Sequence, residues 1–248
     1  MKLSEVRRGT TLRNWGYRFV KRAFDLISSA LAIVVTSPLW LIIAVGIKCS
    51  SKGPVFYRAD RIGKGVKKFT LYKFRSMHQY HPEIQGQGEQ REGGYIANEN
   101  RIFPFGGLLR KSKLDELPQL LNILMGQMSV VGPRPITEAG VKKHYIGKYD
   151  EVLTVRPGLA CLDSLYDYAH GELVVKDNEE FDKKVAPMRD CLASMYVEKQ
   201  SIGLDVYCIL RTVKLIFEIM ILKKREFPYT KYEQEAENRV FGSTAAEL

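Results

Sequence analysis

Two adjacent carboxylic acids, Asp115 and Glu116, have the side chains best suited to chemistry in this sequence. They precede an apolar pattern of helical spacing over residues 117–124, which Gly126 ends. Pro118 has no N–H and is tolerated only in the first turn of a helix, so we expect Asp115 to be the N-cap and Glu116 the first helical residue. Both carboxylates would then lie at the positive end of the helix dipole.

Basic residues surround this acidic pair in the sequence. Arg110, Lys111 and Lys113 come directly before it, Arg134 lies between two prolines, and Arg156 is followed by Pro-Gly. Proline restricts its own φ angle and the conformation of the residue before it, so the last two guanidiniums are carried by stiff loops. Planar, forked donors on stiff loops suit the oxygens of a phosphate group.

The chemistry that this pattern favours is attack of an aspartate on phosphorus. An ionised Asp115 at a helix N-terminus, near several arginines, is expected to have a lowered pKa and to stay anionic, which makes it a nucleophile rather than an acid. The product would be an acyl phosphate, and Arg side chains or Mg²⁺ would neutralise the two anions. Glycoside hydrolysis fits less well, because its two carboxyls flank the bond about 5–9.5 Å apart. A carboxylate that only caps a helix is the structural alternative.

An apolar segment with basic flanks precedes the acidic pair and would hold the protein at a membrane. Residues 26–47 form a run of 22 residues without charge, long enough in principle to cross the roughly 30 Å of bilayer hydrocarbon. Residues 1–25 and residues 48–68 each hold seven Lys and Arg, and positive charge favours the cytoplasmic side. We therefore expect both ends on that side, with a helix that enters and leaves the bilayer by the same face.

A break at Ser37-Pro38 would allow this path. Pro38 lacks an N–H and its ring clashes with the carbonyl four residues earlier, and the hydroxyls of Thr36 and Ser37 could pair with the freed carbonyls. A kinked membrane span and a buried core helix are the alternatives. A cleaved signal peptide fits poorly, because no small-residue cleavage site follows the run. The basic flanks would also attract anionic lipid headgroups.

The rest of the chain predicts short strands and several helices. Residues 55–63 and 67–77 indicate a β-hairpin around a Gly-Lys-Gly turn. Residues 79–101 are polar and rich in glycine, which predicts a loop. Residues 177–198 and 202–222 predict helices, the second either buried in the core or lying in the membrane interface.

Charge and cysteine content place further bounds on the chain. Residues 1–75 hold 16 Lys and Arg against 3 Asp and Glu, whereas residues 76–248 hold 22 against 25, so the basic excess is N-terminal. We divide the chain into a basic N-terminus with a membrane helix (1–50), a catalytic domain (51–222) and a polar, loosely ordered tail (223–248). Four cysteines lack metal-ligand spacing and are expected to be free thiols: Cys49, Cys161, Cys191 and Cys208.

Six collinear segments between about residues 18 and 218 carry a resemblance to a known family. They are KRAFDLISSALAIVVTSPLWLIIA, GPVFYRADRIG, YKFRSM, LLRKSKLDELPQLLNILMGQMSVVGPRP, VRPGL and LDVYCILRTVKLIF. In these segments the chain resembles the monotopic phosphoglycosyl transferases, which are bacterial polyprenyl-phosphate sugar-1-phosphate transferases. The block from LDELPQLLNIL to GPRP is the most specific part of the match.

The resemblance implies an enzyme that transfers a sugar-1-phosphate from a UDP-sugar to polyprenyl (undecaprenyl) phosphate and releases UMP, at the start of surface glycan assembly. It implies a mainly α fold with a few short β-strands (α+β), in which a re-entrant helix broken at Ser37-Pro38 precedes a small cytoplasmic domain with interfacial amphipathic helices, at the bacterial inner membrane. Asp115 would take the phosphosugar covalently, with Glu116 assisting, both at an Mg²⁺ site. The residues expected to hold phosphates are Arg110, Arg134, Arg156, Lys73 and Arg75.

Two segments depart from the family pattern. After Arg156-Pro157-Gly158 the chain reads LACLDSLYDY, without the Ile-Thr-Gly step and the Gln that often follow, and Glu99-Asn100-Arg101 replaces Asp-Pro-Arg. The resemblance therefore assigns no particular sugar, and the sequence assigns no oligomeric state. The alternative from a different class is a non-enzymatic, membrane-anchored binder of anionic lipid or nucleic acid that uses residues 1–75. No recognised nucleic-acid motif accompanies these basic residues, so nucleic acid is not an expected partner.

Overall fold

The computed structural model describes residues 15–78, 101–171, 179 and 181–242, and within them the chain is mainly helical with a few short strands. This confirms the predicted class. The α-helices are α1 (Trp15–Ser50), α2 (Pro104–Lys111), α3 (Gln119–Leu124), α4 (Glu138–His144), α5 (Leu162–Tyr166), α6 (Ala186–Glu198), α7 (Ile202–Met220) and α8 (Lys231–Phe241). The strands are β1 (Phe56–Ile62), β2 (Lys68–Phe74), β3 (Ser129–Val131) and β4 (Gly158–Ala160). Three 3₁₀ turns cover Lys64–Val66, Leu114–Glu116 and Asp150–Thr154, and two π-helical turns cover Asp167–Gly171 and Phe181–Val185.

Helix α1 carries the apolar run, and it is long and apolar enough to cross a membrane. It is α-helical on both sides of Pro38. The Ser37 hydroxyl donates to the carbonyl of Val34 at 2.8 Å, which is the carbonyl that Pro38 leaves without an N–H. The Thr36 hydroxyl donates to the carbonyl of Ala32 at 2.6 Å. The predicted pairing with a freed carbonyl is confirmed for Ser37, whereas Thr36 donates to a carbonyl that Pro38 does not free.

The apolar surface of α1 is mostly exposed, so the alternative of a buried core helix is wrong. Its large exposed apolar side chains include Phe19, Ile27, Leu31, Val34, Val35, Leu41 and Ile42. A helix buried in a protein core would cover this surface with other elements, whereas a bilayer can cover it with lipid.

One side of α1 packs against the rest of the protein along the length of the helix. Near its beginning, the ammonium of Lys21 lies 2.8 Å from the carboxylate of Asp205 in α7. Its middle contacts α3. Near its end, Ile43 and Ile47 are buried against Phe74 of β2. Both ends of α1 therefore pack on the same body of the protein.

Two polar side chains of α1 reach into that body. The guanidinium of Arg22 donates to the carbonyls of Ile123 at 2.8 Å and Leu124 at 3.0 Å, at the end of α3. The buried carboxylate of Asp25 accepts from the Ser129 hydroxyl at 3.0 Å and the Val130 N–H at 2.9 Å, at the start of β3. Helix α1 is thus hydrogen-bonded to the elements on both sides of Gly126.

The two strand pairs position the loops that carry basic residues. Strands β1 and β2 are antiparallel, with Phe56 opposite Phe74, which confirms the predicted hairpin. Strands β3 and β4 are parallel, with Ser129 opposite Gly158. In a parallel pair the segments that leave the two strands lie at the same edge. The loop after β3 nevertheless returns to the start of β4, because the Gly158 N–H donates to the Pro133 carbonyl at 2.9 Å.

The core of the second half is built around α6, whose side chains are buried on nearly every face. The helix predicted over residues 177–198 begins at Ala186, after the π-helical turn Phe181–Val185. Pro187 stands in its first turn, where a proline needs no N–H partner.

The predicted loosely ordered tail is wrong over residues 231–241, where helix α8 packs on α6. Thr230 and Glu233 form a capping box that starts this helix, and Ala236 is fully buried in the core. A Thr followed three residues later by Glu satisfies two N-terminal N–H groups at once, so the polar sequence still forms a helix. The C-terminal segment therefore belongs to the same core as α6.

Helix α7 is amphipathic, and its burial in the core is confirmed only for one face. Leu204, Cys208 and Leu215 are buried. A stripe on the opposite face exposes five large apolar side chains: Ile202, Val206, Leu210, Val213 and Phe217. The spacing of this stripe follows the helical period, so one continuous face is apolar and exposed.

Two further predictions concern the loop and the thiols. The loop predicted over residues 79–101 lies outside the described residues except for Arg101. All four cysteines are free thiols, as predicted, with Cys49 exposed and the other three buried.

Candidate active site

Asp115 and Glu116 lie on the 3₁₀ turn Leu114–Glu116, between α2 and α3. Lys113 precedes this turn in the left-handed region, with φ of 56°, which costs an L-residue about 1–2 kcal/mol. The predicted N-cap is wrong, because Pro118 is the N-cap of α3 and the helix begins at Gln119. The chain enters the helix through the 3₁₀ turn, and this turn carries the acidic pair just ahead of α3.

Glu116 is held as an anion by basic side chains. Its Oε1 lies 2.9 Å from the Lys73 ammonium and 4.0 Å from Nη2 of Arg134. Burial alone would raise the pKa of Glu116, but the charges of Lys73, Arg134 and Lys113 outweigh burial and lower this pKa to about 2. Glu116 is therefore a fixed negative charge at any pH at which the protein functions.

Asp115 has the opposite electrostatic environment. Its residue is 5% exposed, and Oδ1 of its carboxylate has no hydrogen-bond partner among the described residues. Burial raises the pKa of Asp115, the neighbouring charge of Glu116 raises it further, and the charges of Lys73, Lys113 and Arg110 only partly oppose this shift. The predicted lowering of this pKa is wrong, because loss of solvent outweighs the cations. Asp115 is therefore the destabilised, more basic carboxylate of the pair.

Arg134 joins the acidic pair to a third carboxylate. Its Nη2 lies 4.0 Å from Glu116, and its Nε lies 4.0 Å from Oδ2 of Asp167. The loop that carries Arg134 packs so closely on its neighbour that a Cβ on Gly132 would lie 2.3 Å from the carbonyl oxygen of Arg156. A glycine is needed at this contact, and the loop is held rigidly.

Arg110 and Lys113 complete the cations around Asp115. Arg110 lies in the last turn of α2, and its charge lowers the pKa of Asp115. The Lys113 ammonium lies 3.8 Å from the centre of the Tyr168 ring, a cation–π contact. The structure therefore gathers four cations around the acidic pair: Lys73, Arg110, Lys113 and Arg134.

The structure does not bring Arg156 to the acidic pair. Its Nε donates to the carbonyl of Gly126 at 2.8 Å, at the far end of α3. Burial and the nearby charge of Arg22 lower the pKa of Arg156. Arg156 and Arg22 thus satisfy carbonyls that the end of a helix leaves without partners. The role predicted for Arg156 at the phosphates has no support from this position.

Arg75 is also placed elsewhere. It is 3% exposed, and its three guanidinium nitrogens donate to the carbonyl of Pro54 at 2.6 Å and to the hydroxyl and carbonyl of Ser51 at 2.7 and 2.8 Å. These bonds fasten the end of α1 to β2. All three guanidinium nitrogens of Arg75 thus have partners within the protein, and its predicted role at a phosphate gains no support from this position.

Sequence reasoning missed two residues at this site, Asp167 and Tyr168. It named Lys113 only as one of the basic residues that come directly before the pair. Asp163 and Asp167 form an acidic pair at i and i+4, which share a helix face, but a loop was a sufficient explanation for the segment in which they stand. The spacing of these two acids was the available signal.

The acidic pair is the part of the described chain that fits Mg²⁺. Across residues 15–78, 101–171, 179 and 181–242, no group of three or more His, Cys, Asp or Glu is placed to hold a metal ion. Mg²⁺ is usually bound through one or two carboxylates together with substrate phosphates and water. The buried Oδ1 of Asp115, beside Glu116, is a carboxylate oxygen that could serve as such a ligand.

The chain is similar to a known protein family and to individual proteins within it. A family model described as bacterial sugar transferase matches residues 16–219. The chain is 32% identical over 223 residues to the UDP-N-acetylgalactosamine-undecaprenyl-phosphate N-acetylgalactosaminephosphotransferase of Aeromonas hydrophila, a match that covers 86% of this chain and 47% of that protein. It is 42% identical over 159 residues to the UDP-glucose:undecaprenyl-phosphate glucose-1-phosphate transferase of Xanthomonas campestris pv. campestris, covering 62% of this chain and 31% of that protein.

A third relative is similar to the chain in length. The exopolysaccharide production protein ExoY of Rhizobium meliloti (strain 1021) is 32% identical over 209 residues, which cover 79% of this chain and 84% of that protein. The chain thus spans about half the length of the Aeromonas relative and less of the Xanthomonas one. The family match includes α1, the acidic pair and the two loops that follow β3 and precede β4. The chain belongs to the bacterial sugar transferase family.

Proposed function

We propose that this protein transfers a sugar-1-phosphate from a UDP-sugar to undecaprenyl phosphate and releases UMP. The observation that carries the proposal is the environment of Asp115, a buried carboxylate with an unsatisfied oxygen, next to Glu116 and among four cations. Burial destabilises an isolated carboxylate at such a site. The surrounding cations would stabilise a phosphate bound beside it, because they neutralise the incoming anion.

The names of the relatives support the substrate classes. The Aeromonas and Xanthomonas proteins are named for UDP-sugar donors and for undecaprenyl phosphate as acceptor. The Rhizobium relative is named for exopolysaccharide production. Transfer to undecaprenyl phosphate would place this chain at the start of the assembly of a surface polysaccharide or glycoconjugate.

The reaction is proposed in two displacements at phosphorus. A carboxylate oxygen of Asp115 attacks the phosphorus that carries the sugar, the bond from this phosphorus to the bridging oxygen breaks, and UMP leaves with the electron pair. A phosphate oxygen of undecaprenyl phosphate then attacks the same phosphorus, and the Asp115 carboxylate leaves with its electrons. The raised pKa of Asp115 makes it a stronger nucleophile than an ordinary carboxylate, as long as it is ionised.

The other residues of the site hold charge in place. Glu116 remains anionic and fixes Lys73 and Arg134 beside Asp115. Arg110, Lys113 and Arg134 are proposed to bind phosphate oxygens of the donor. Asp115 and Glu116 would hold Mg²⁺, which, when bound, would supply positive charge to the phosphate oxygens.

Helix α1 is proposed to enter and leave the inner membrane by its cytoplasmic face, with the catalytic residues on that face. Its beginning and its end both contact the same body of the protein, through Lys21 and Ile47. The Ser37 hydroxyl satisfies the carbonyl that Pro38 frees, as hydrocarbon requires of a proline-containing helix. The exposed apolar face of α7 would lie in the membrane interface.

The activity is tested with the purified full chain in detergent, a panel of UDP-sugars, Mg²⁺ and undecaprenyl phosphate. We expect UMP release with at least one donor and, without acceptor, a gain in protein mass equal to one phosphosugar. Asp115→Asn should show neither. Asp182→Asn is the matched control, because Asp182 is exposed and pairs with Lys143 on the surface.

Two results would contradict the proposal. One is near-normal turnover by Asp115→Asn. The other is a wild-type protein that releases no UMP with any donor but binds anionic vesicles in a salt-sensitive manner, which would favour the non-enzymatic membrane-anchored binder.

The membrane path is tested with cysteines at the two ends of α1. Cys49 is exposed near the end of the helix, and Trp15→Cys with Cys49→Ser places a thiol at its beginning. A membrane-impermeant maleimide should label both thiols in inverted vesicles and neither in intact spheroplasts. Labelling of the two thiols from opposite faces would refute the re-entrant path.

A further inference from the structure

The segment Leu162–Gly171 forms one wall of the candidate site, although its sequence departs from the family pattern. It runs from α5 into the π-helical turn Asp167–Gly171. Asp163 and Asp167 are 0% and 1% exposed. Because they stand four residues apart in helical backbone, both carboxylates lie on the same face.

Three carboxylates lie around Arg134, one hydrogen-bonded to its backbone and two at 4.0 Å from its guanidinium. The backbone N–H of Arg134 donates to Oδ2 of Asp163 at 2.8 Å. Its side-chain Nε lies 4.0 Å from Oδ2 of Asp167, and its Nη2 lies 4.0 Å from Oε1 of Glu116. Asp163 therefore accepts from the backbone of Arg134, whereas Asp167 and Glu116 lie near two different nitrogens of its planar guanidinium.

The same segment contacts a second cation of the site. Tyr168, directly after Asp167, places its ring 3.8 Å from the Lys113 ammonium. Neighbouring residues of one π-helical turn thus meet Arg134 and Lys113, which lie in different loops. These two cations are the ones that join Lys73 in lowering the pKa of Glu116.

A carboxylate beside the Arg134 guanidinium can fix the orientation of that side chain. Arginine has a long, flexible side chain, and a fork that is displaced by about 1 Å from the reacting group can lose about a hundredfold in rate. Asp167 is 1% exposed, and its Oδ2 lies 4.0 Å from Nε of Arg134. This contact gives Asp167 a way to act on the reaction through the guanidinium.

We propose that Asp167 is a positioning residue, which turns the Arg134 guanidinium so that it meets the phosphate transferred to Asp115. The proposal rests on the proposed function, because it concerns the orientation of one of its phosphate-binding groups. It assigns a role to the Leu162–Gly171 segment that the family motifs do not cover.

The test compares four proteins in the UMP-release assay at saturating acceptor: wild type, Asp167→Asn, Asp167→Glu and the control Asp182→Asn. Asp167→Asn removes the charge at constant shape, and we expect kcat to fall about 10- to 100-fold, with the donor KM changed less than about threefold because Asp167 does not touch the donor. Asp167→Glu keeps the charge and should recover most of the lost kcat. The control should match wild type.

The decisive measurement repeats Asp167→Asn in an Arg134→Gln background. If Asp167 acts through Arg134, the double variant should match Arg134→Gln within about twofold. An equal further loss in the double variant would overturn the proposal, and so would a single variant Asp167→Asn with normal kcat.

Thermal unfolding distinguishes a variant that has lost activity from one that no longer folds. If Asp167→Asn no longer unfolds cooperatively, its kcat does not report on the role of Asp167. The kcat of the double variant is then compared with that of Arg134→Gln, because the double variant leaves neither charge of the pair without its partner. A wild-type chain that releases no UMP would contradict the proposed function itself, whereas a fully active Asp167→Asn would contradict only the role of Asp167.

Discussion

The two ends of the segment that runs from Leu114 to Gly126 use basic residues in different ways. At its beginning, Lys73 and Arg134 face the carboxylate of Glu116 beside the buried Asp115. At its end, Arg22 and Arg156 face backbone carbonyls that close α3. Basic side chains of the same kind thus supply charge to a reactive group at one end and satisfy a helix terminus at the other. The acceptor, not the residue type, separates a catalytic cation from a structural one.

Asp115→Asn should show the largest effect at the first end. The loss of the nucleophile should lower UMP release by about a thousandfold or more. Because burial raises the pKa of Asp115, its ionised form destabilises the folded protein at pH values above that raised pKa, so the neutral Asn should raise the thermal midpoint at pH 7. Steady-state kinetics and thermal unfolding in detergent measure the two effects. A variant that is inactive and less stable would contradict this account of Asp115.

Glu116→Gln should change stability in the opposite direction to Asp115→Asn. The pKa of Glu116 is lowered from 4.5 to about 2, so its ionised form stabilises the folded protein by about 2–3 kcal/mol at pH 7. This contribution is complete above the ordinary pKa of glutamate and is lost as the pH falls through the lowered value. Unfolding measured between pH 7 and pH 2 should therefore show a difference between wild type and Glu116→Gln that shrinks below pH 4.5. A constant difference across that range would contradict the shift.

Arg156→Gln tests the second end of the segment. It removes a charged donor from the Gly126 carbonyl, so we expect a loss of about 2 kcal/mol in unfolding free energy. The kcat of the folded protein should stay within about threefold of wild type. Arg22→Gln is the matched variant, because Arg22 donates to carbonyls at the same end of α3. A large fall in kcat with an unchanged thermal midpoint would move Arg156 into the catalytic group.

Arg110→Gln should show the smallest effect, at the first end. Arg110 lowers the pKa of Asp115 through its charge and is proposed to bind a phosphate oxygen of the donor, so we expect a fall of about tenfold in kcat/KM and little change in stability. Lys111→Gln is the control, since Lys111 is the neighbouring, exposed cation of the same helix. Equal losses in the two variants would show that net charge matters here and that position does not.

The sequence predicted the parts of the fold and site that depend on local pattern. β-Branched and aromatic residues around a Gly-Lys-Gly turn predicted the β1–β2 hairpin, which is confirmed. The reactivity of Asp115 and Glu116 stays a prediction. The N-cap prediction was wrong because the chain passes from a left-handed Lys113 through a 3₁₀ turn before Pro118 caps α3, and the pattern of apolar residues does not indicate this turn. The tail prediction was wrong although its signal was present, since Thr230 and Glu233 form a capping box.

Tertiary placement explains the other differences. Arg75 and Arg134 both stand in motifs and both are arginines, but Arg75 turns toward the carbonyls that follow α1 and Arg134 toward carboxylates. Asp167 comes to the site only because α5 continues into a π-helical turn. Which acceptor a side chain meets depends on elements that are distant in sequence, so residue type and spacing could not decide these roles.

The hydrogen bonds from α1 to the ends of α3 and β3 bear on how a soluble form of this enzyme could be engineered. Deleting the helix would remove Arg22 and Asp25 and leave the carbonyls of Ile123 and Leu124 and the N–H of Val130 to be satisfied by water. A truncated protein would therefore lose the hydrogen bonds that hold the end of α3 and the start of β3, next to the candidate site. Replacing the exposed apolar residues of α1 with polar ones, while retaining the helix, is the better route to solubility.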